Sequence, residues 1–121
     1  MSNDKLRLGK LGEQLAGNYL KNKGYKIIAQ NYHTREGEID LICRKDKVFY
    51  FIEVKTRTNQ AFGWPEEAVT DQKLEKISLA AEKYLIEKQI NSEWQIDIIS
   101  INLNQTGKET KIKHYKNITI Y

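Results

Sequence analysis

Residues 37–57 read GEIDLICRKDKVFYFIEVKTR, and this segment predicts a β-hairpin at the centre of the fold. Apolar, β-branched and aromatic residues dominate it, as is typical of strands. We predict one strand from Glu38 to Arg44 and another from Lys47 to Thr56, joined by a tight turn at Lys45-Asp46. The second strand is apolar on both faces in its first half. That pattern indicates a central strand covered on both sides.

The predicted hairpin brings acidic side chains together. Side chains alternate between the faces of a strand, so Glu53 and Lys55 share one face. The turn position would place Asp40 opposite Phe51, on the same face as Glu53. Asp40 and Glu53 would then be diagonal neighbours roughly 7–8 Å apart at the backbone, so their carboxylates could converge on one cation. Glu38 would stand opposite Glu53, as an extra ligand or, in the reading we favour, as a residue bordering the turn.

The rest of the chain predicts two helices and three further strands. One helix is predicted from Lys5 to Lys23, with Gly24 as its C-cap, and another from about Thr70 to Glu87, capped by Thr70 or Asp71. The element order α-β-β-β-α-β-β indicates a single α/β domain over residues 1–121, with one mixed sheet flanked by helices. The remaining strands are predicted at Lys26–Tyr32, Trp94–Ile101 and Lys111–Tyr121.

Both predicted helices carry an apolar stripe with a period of 3.6 residues. Glu13 is the only acidic residue between Lys5 and Lys23, and it falls at the edge of the first stripe, so it is a candidate third acid. The stripe residues are Leu8, Leu11, Leu15, Ala16, Tyr19 and Leu20 in the first helix, and Leu74, Ile77, Ala81, Tyr84 and Leu85 in the second.

Composition narrows the class of protein. The formal net charge is +4, and residues 1–60, which hold the candidate acids, carry 12 Lys or Arg against 7 Asp or Glu. An excess of positive charge there suits a polyanion such as nucleic acid. The single cysteine, Cys43, lies in an apolar strand and is predicted to be a buried, reduced thiol. No apolar run reaches membrane-spanning length and the first residues lack a signal-peptide core, so we expect a cytoplasmic protein.

The acids and the lysine predict a particular chemistry. Carboxylate oxygens together with water are the ligands that Mg²⁺ and Mn²⁺ prefer. Such an ion can polarise a phosphate and generate hydroxide, while a neighbouring lysine stabilises the charge that develops. Asp40, Glu53 and Lys55, with Glu13 nearby, therefore predict metal-dependent hydrolysis of phosphodiesters.

The sequence resembles a known family. Asp40, a hairpin and then Glu53-Val54-Lys55 is similar to the signature of the PD-(D/E)xK nucleases, and more closely the chain resembles the YraN-like family of small bacterial proteins. This likeness extends from about Gly9 to Tyr121. The matching segments are Gly9-Lys-Leu-Gly12-Glu13, Gly24-Tyr25, Gly37-Glu-Ile-Asp40-Leu-Ile, Val54-Lys55-Thr-Arg57, Ala68-Val-Thr70 with Lys73, Gln95-Ile-Asp97-Ile, and His114.

The resemblance carries expectations of its own. That family is similar to archaeal Holliday-junction resolvases and to restriction endonucleases, which implies a restriction endonuclease-like mixed sheet. It implies metal binding by Asp40, Glu53 and the Val54 carbonyl, with Glu13 as an accessory ligand and Lys55 catalytic. It also implies a nucleic-acid substrate, DNA in preference to RNA, and is compatible with a homodimer. The proline that often precedes the first acid of the signature is replaced here by Ile39.

Other candidate residues have two readings. Arg57 and Lys73 could contact phosphates, although for Lys73 a solvated helix charge is an equal alternative. Phe62 and Trp64 could stack on bases, but anchoring a loop is the more common role. His33 and His114 are too far apart in sequence to suggest a shared metal site, and we favour a structural role for His114.

Three functions remain open from sequence alone. The first is a Mg²⁺- or Mn²⁺-dependent endonuclease, which predicts cleavage that disappears when Asp40 or Lys55 is replaced by alanine. The second is a nucleic-acid-binding module with little turnover, which predicts salt-sensitive binding that survives both replacements. The third is a protein-interaction domain with a vestigial site, which predicts no nucleic-acid binding even at low salt.

Overall fold

The computed structural model describes residues 2–58, 69–103 and 110–118 of the chain. Within these ranges the element order α-β-β-β-α-β-β is confirmed. Most predicted boundaries lie within one or two residues of the observed ones. The observed elements are α1 (Ser2–Asn22), β1 (Lys26–His33), β2 (Glu38–Lys45), β3 (Val48–Arg57), α2 (Asp71–Glu87), β4 (Glu93–Leu103) and β5 (Thr110–Tyr115).

The described strands form one mixed sheet in the order β1-β2-β3-β4-β5. Neighbours are antiparallel except β3 and β4, which run parallel. A parallel pair needs a long connection, and α2 lies within this one. β3 is therefore the central strand, as predicted from its apolar faces.

The core has two layers, one on each face of the sheet. Phe51 is fully buried beneath α2, while its neighbour Ile52 is fully buried beneath α1. Every predicted stripe residue of α2 is buried. In α1, Ala16 and Leu20 are buried, but Leu11 is 43% exposed. Its inclusion in the stripe was wrong, because it lies about 100° from the centre of the buried arc on the helical wheel.

The hairpin register differs from the predicted one by two residues. Lys45 pairs with Val48 and Ile42 pairs with Phe51, so the turn lies at Asp46-Lys47 and the predicted turn position was wrong. Asp46 has a φ of 56°, which two-residue hairpin turns require and which aspartate tolerates. The pairings predicted for Asp40 and Glu38 were therefore wrong as well. A shift of two positions nevertheless preserves the face of every side chain.

The ends of the helices follow the predicted capping. The chain leaves α1 through Gly24, whose φ of +93° is one that side chains disfavour. Thr70 caps α2, and its Oγ1 accepts a hydrogen bond of 3.2 Å from the Lys73 N–H. Both caps satisfy main-chain groups that the helices leave unpaired.

Three further predictions concern the end of the chain, the cysteine and the membrane. β5 ends at Tyr115, so the prediction of a strand was wrong for residues 116–118, where Asn117 has a φ of 56° and turns its N–H to the Asp97 side chain. The predicted continuation over residues 119–121 lies outside the described residues, as do Phe62 and Trp64. Cys43 is a buried free thiol, as predicted, and its burial, reinforced by the Asp97 charge, raises its pKa to about 12. Among the described helices, neither is long and apolar enough to cross a membrane.

Candidate active site

The candidate acids meet where the pairing of β2 with β3 stops. The paired register runs from Lys45 and Val48 to Leu41 and Ile52, although both strands continue beyond it. Just past this point, Asp40 Oδ2 accepts a hydrogen bond of 2.8 Å from the main-chain N–H of Val54. The Asp40 side chain thus occupies the place of a strand partner, and this bond fixes its carboxylate against β3.

The same hydrogen bond shows which way the Val54 peptide groups face. In a strand, the N–H and C=O of one residue point to the same side, because paired residues exchange both bonds. Since the Val54 N–H points toward β2, its carbonyl also points toward the gap between β2 and β3. The gap therefore receives a carboxylate and a main-chain carbonyl, which are both oxygen donors suited to hard cations.

Glu53 is the buried member of the acidic pair. Only 4% of the residue is exposed. Burial, the charge of Asp40 and a hydrogen bond between the two carboxyl groups together raise its pKa from 4.5 to about 7, against the opposing charges of Lys73 and Lys55. The two side chains are thus close enough to share a proton or a cation. A buried carboxylate facing another is costly unless positive charge offsets it.

Two ammonium groups approach the same oxygen of Glu53. Lys73 Nζ lies 3.6 Å from Glu53 Oε2, and Lys55 Nζ lies 3.9 Å from it. Lys55 comes from β3 itself, while Lys73 comes from the first turn of α2, which Thr70 caps. Both lysine side chains are partly exposed, at 31% for Lys55 and 42% for Lys73. The structure therefore places Lys73 beside Glu53 while leaving much of its side chain in solvent. Its predicted contact with phosphate stays a prediction.

Glu13 and Glu38 lie on the outer side of this pair. Partial burial raises the pKa of Glu13, and the charges of Asp40 and then Glu38 add to the increase, while a hydrogen bond from Asn31 and the charge of Lys10 oppose it. Glu13 is thus within electrostatic reach of Asp40, as its position on α1 predicted. Glu38 also forms an exposed ion pair with His33, at 3.6 Å.

Two glycines let the flanking elements approach the site. A Cβ on Gly12 would overlap Thr56 Oγ1, so only glycine lets α1 come this close to the end of β3. A Cβ on Gly37 would lie 3.1 Å from both the carbonyl oxygen and the Cβ of Lys76 on α2. Each glycine directly precedes an acid, Glu13 or Glu38. Both glycines lie in the family motifs, but their contacts join elements far apart in the chain and could not be predicted from the sequence.

The donor set can be tested against a metal ion. Across residues 2–58, 69–103 and 110–118, no three His, Cys, Asp or Glu side chains come together as a ready-made metal site. Asp40 and Glu53 supply two carboxylates, and the Val54 carbonyl faces the same gap. Mg²⁺ commonly takes one or two carboxylates and keeps several waters, so the residues present fit a hydrated hard cation. They would not form a fully dehydrated cage.

Arg57 lies at the end of β3, two positions beyond Lys55 and therefore on the same face. It pairs through its main chain with Asn102 of β4 and is half-buried. This position borders the candidate site on the side where β3 leaves the sheet. Arg57 is thus placed where a phosphate contact is feasible, and that role stays a prediction.

His114 belongs to a separate, buried polar network. His114 Nε2 donates to Asp97 Oδ2 at 2.7 Å, and Asp97 Oδ1 also accepts from Gln95 Nε2 and from the Asn117 N–H, each at 2.9 Å. Burial alone would raise the pKa of Asp97, but these hydrogen bonds together lower it. The network joins β5 to β4 on the side covered by α1, where Tyr19 packs edge-on against His114. Asp97 and His114 both lie in the family motifs, but no pattern in the sequence predicted their contact.

The fold and the site together define an α/β protein with a carboxylate pair, the buried Glu53 and the half-buried Asp40, and two lysines at the open end of a central hairpin. The chain belongs to the UPF0102 family, because the family model described as "Uncharacterised protein family UPF0102" matches residues 12–101. That span includes every acid and lysine of the candidate site. The resemblance to this bacterial family is therefore confirmed.

Relatives of this family match along almost their whole length. A UPF0102 protein of Syntrophomonas wolfei subsp. wolfei is 49% identical over 111 residues, covering 91% of this chain and 95% of that protein. One from Alkaliphilus oremlandii is 44% identical, covering 92% and 96%. One from Legionella pneumophila (strain Corby) is 45% identical, covering 90% and 91%. These names give the family and state no reaction.

Proposed function

We propose that this protein is a metal-dependent endonuclease of the PD-(D/E)xK superfamily. It hydrolyses phosphodiester bonds of nucleic acid, DNA in preference to RNA, including branched forms that resemble Holliday junctions. The observation that carries the proposal is the pairing of Asp40 with the buried Glu53 in a gap between strands, with Lys55 beside them. This arrangement places two carboxyl groups at one position, where a cation would be needed before a negatively charged phosphate could bind.

In this proposal, Asp40, Glu53 and the Val54 carbonyl hold Mg²⁺ or Mn²⁺, with Glu13 as an accessory ligand. When bound, the ion would polarise the scissile phosphate and lower the pKa of an attacking water. The chain's own residues have separate tasks. The Val54 N–H holds the Asp40 carboxylate in place, and the Lys55 ammonium stabilises negative charge that develops on the phosphate. Arg57 and Lys73 contact neighbouring phosphates and position the substrate.

Energetic cost supports a functional role for the acidic pair. A buried ion pair or acid is often replaceable by a packed apolar residue with a gain in stability. Glu53 is instead kept in the core with its pKa raised to about 7, next to Asp40. If Lys55 served only as a salt-bridge partner at the surface, Glu53 would not need to be buried. Exposed ion pairs contribute little to stability. The site thus lowers stability in the metal-free protein, as expected for a binding site.

A panel of substrates tests the proposal. Junction, flap, duplex and single-stranded DNA and matching RNA are incubated with Mn²⁺ or Mg²⁺ and the wild-type protein. Asp40→Asn, Lys55→Ala and the control Lys47→Ala, in the distant hairpin turn, are assayed alongside. We expect metal-dependent cleavage by the wild type and by Lys47→Ala, and a loss of about 10²- to 10³-fold in the two site variants. Equal cleavage by Asp40→Asn would show a contaminating nuclease and overturn the proposal.

One observation favours a second function. Because the described residues contain no group of three acidic or His side chains in one cluster, the ligand set relies on the main chain and water. A nucleic-acid-binding module with little or no turnover is compatible with such a site. It predicts no cleavage of any substrate, and salt-sensitive binding that Asp40→Asn and Lys55→Ala both retain.

A homodimer is part of the proposal for branched substrates. Two copies would present two sites to paired strands, as symmetric junctions require. Sedimentation of the protein with and without a four-way junction tests this. We expect two protein chains per junction, and one chain per junction would contradict it.

A further inference from the structure

A polar groove runs beside the candidate site, between α1 and the edge strand β1. Its walls are formed by exposed side chains of both elements, and Glu13 lies along it, within electrostatic reach of Asp40. Glu13, the proposed accessory ligand, therefore belongs both to this groove and to the proposed active site. Its polar walls comprise Lys10, Gln14, Asn18 and Lys21 from α1, and Gln30 and Asn31 from β1.

The α1 wall is a regular stripe. Lys10 and Lys21 are eleven residues apart. Their directions around the helix axis therefore differ by only about 20°, and they are separated by about 16 Å along the axis. Gln14 and Asn18 project between them on the same side. At about 3.4 Å per nucleotide along a helix axis, this stripe is long enough for roughly four or five nucleotides.

The chemistry of the groove suits a phosphodiester backbone. One ammonium group, from Lys10 or Lys21, stands at each end of the α1 wall. Amide side chains, which can both donate and accept hydrogen bonds, lie between them. Glu13 is the single acid in the lining of this groove, which consists wholly of described residues, and it lies one turn or less from Lys10, within electrostatic reach of Asp40. Charge and hydrogen-bonding groups are thus arranged along a line that passes Glu13, beside the acidic pair.

We propose that this groove holds one single strand of nucleic acid and leads it to or from the scissile phosphate. The inference rests on the proposed function and names where its substrate lies. Lys10 and Lys21 contact backbone phosphates, and the amides of Gln14, Asn18, Gln30 and Asn31 contact sugar and base edges that an unpaired strand exposes.

Gly17 gives the groove its depth. A Cβ built on Gly17 meets no atom within 4 Å, and Gly17 lies in the groove lining. The absence of a side chain there leaves room beneath the path between Lys10 and Lys21. A larger residue at this position would project into the groove without displacing the core, which makes Gly17 a probe of occupancy.

Binding in EDTA tests the groove without any cleavage. Fluorescence anisotropy with labelled single-stranded DNA measures Kd for wild type, Lys10→Ala, Lys21→Ala and the charge-matched control Lys47→Ala. We expect Lys10→Ala and Lys21→Ala each to weaken binding about three- to tenfold and to reduce the salt slope by about 0.7. Wild-type affinity is expected for Lys47→Ala. The groove is refuted if all three variants weaken binding equally, if none does, or if the wild type binds no probe.

A second pair of variants leaves both lysines in place. Gly17→Glu and Gly17→Gln insert side chains of the same size, and only the first adds charge. We expect Gly17→Glu to weaken binding more than tenfold and Gly17→Gln to weaken it less. Wild-type binding by both variants would overturn the proposal. Circular dichroism of each variant confirms the helix content.

Further probes identify the ligand and separate the two proposals. RNA of the same sequence tests whether the groove distinguishes ribose from deoxyribose. A blunt DNA duplex tests whether an unpaired strand is required, and equal or tighter binding of the duplex would refute the single-strand assignment. Cleavage is assayed separately with Mn²⁺. If wild type never cleaves but binding depends on Lys10 and Lys21, the endonuclease proposal fails and the groove stands. If wild type cleaves and the groove variants bind and cleave normally, the groove proposal fails and the endonuclease proposal stands.

Discussion

Asp40 on β2 is held by the main chain of β3, because its Oδ2 atom accepts a hydrogen bond of 2.8 Å from the Val54 N–H. A main-chain donor holds a fixed place on β3, so this bond favours one position of the Asp40 carboxylate. Val54 lies between Glu53 and Lys55 in β3. One hydrogen bond therefore joins Asp40 of β2 to the segment of β3 that carries the other residues of the proposed reaction.

Glu53 makes stability depend on pH in an unusual direction. Its pKa rises from 4.5 to about 7 on folding. Between these values the folded state binds more protons than the unfolded state, so the free energy of unfolding falls as pH rises through this window. The effect amounts to at most about 3 kcal/mol. Chemical denaturation from pH 4.5 to 8 should show the decline in wild type and its loss in Glu53→Gln.

The control for this pH series is Glu75→Gln, which alters an exposed carboxylate on α2. It should leave the decline unchanged. Added Mn²⁺ should restore stability at pH 8 more than at pH 5, because the ion competes with the proton for Glu53. A flat profile in wild type would show that Glu53 is not the group responsible.

Two of the three glycines of α1, Gly12 and Gly9, should respond oppositely to alanine. Gly12→Ala places a methyl group onto Thr56 Oγ1 and should destabilise the protein by about 1–3 kcal/mol. Gly9→Ala meets no atom within 4 Å and should stabilise the helix by up to about 1 kcal/mol. Urea denaturation measures both. A neutral Gly12→Ala would mean that α1 does not need to approach β3 this closely.

The hairpin illustrates what sequence could predict. Alternation in residues 37–57 established both strands and the shared face of Asp40 and Glu53. The turn was misplaced because Lys45, Asp46 and Lys47 are all polar, and only the pairing of Lys45 with Val48 distinguishes the true turn. The site survived this error, since the register moved by two positions and not by one.

Other contacts were beyond single-sequence reasoning, because they join elements far apart in the chain. Lys73 reaches Glu53 only because α2 crosses the sheet at that place. His114 meets Asp97 across the β4–β5 pair, which no local pattern specifies. The divergence of β2 from β3 at Asp40 is a tertiary feature as well, whereas strand periodicity predicts regular pairing to the end.

The His114 network should be a major source of stability. Removing His114 would leave the fully buried Asp97 carboxylate without its shortest hydrogen bond. We expect His114→Ala to lower the free energy of unfolding by about 3 kcal/mol at pH 7. Equilibrium denaturation in urea provides the value, with His33→Ala, an exposed histidine, as the matched control.

The direction of the Asp97 pKa shift adds a pH test. Because folding lowers this pKa below 3.8, the stabilisation is present above the unfolded pKa and is lost as pH falls through the folded value. The difference between wild type and His114→Ala should therefore shrink in strong acid. A difference that stays constant down to pH 2 would rule out the ionised carboxylate as its source.

Lys73 and Lys55 should affect cleavage differently, although both approach Glu53 Oε2. Lys73 lowers the pKa of Glu53, so Lys73→Ala should move the pH–rate profile to higher pH and reduce the rate about three- to tenfold at pH 7. Lys55 lowers the same pKa by less, so Lys55→Ala should move the profile by a smaller amount, and it should reduce the rate about 10²-fold or more at every pH. Profiles from pH 6 to 9 separate the two, with Lys88→Ala, an exposed lysine, as control. Parallel profiles for both site variants would contradict this division.

The most direct test of the central claim is calorimetric titration of Mn²⁺ into the metal-free protein at pH 8. The pair formed by Asp40 and the buried Glu53 predicts one binding site per chain, lost in Asp40→Asn and in Glu53→Gln and retained in Glu75→Gln. Binding should also weaken below about pH 7, where Glu53 takes up a proton. Absence of binding by the wild type, or undiminished binding by both site variants, would contradict the claim that these two carboxylates hold a divalent cation.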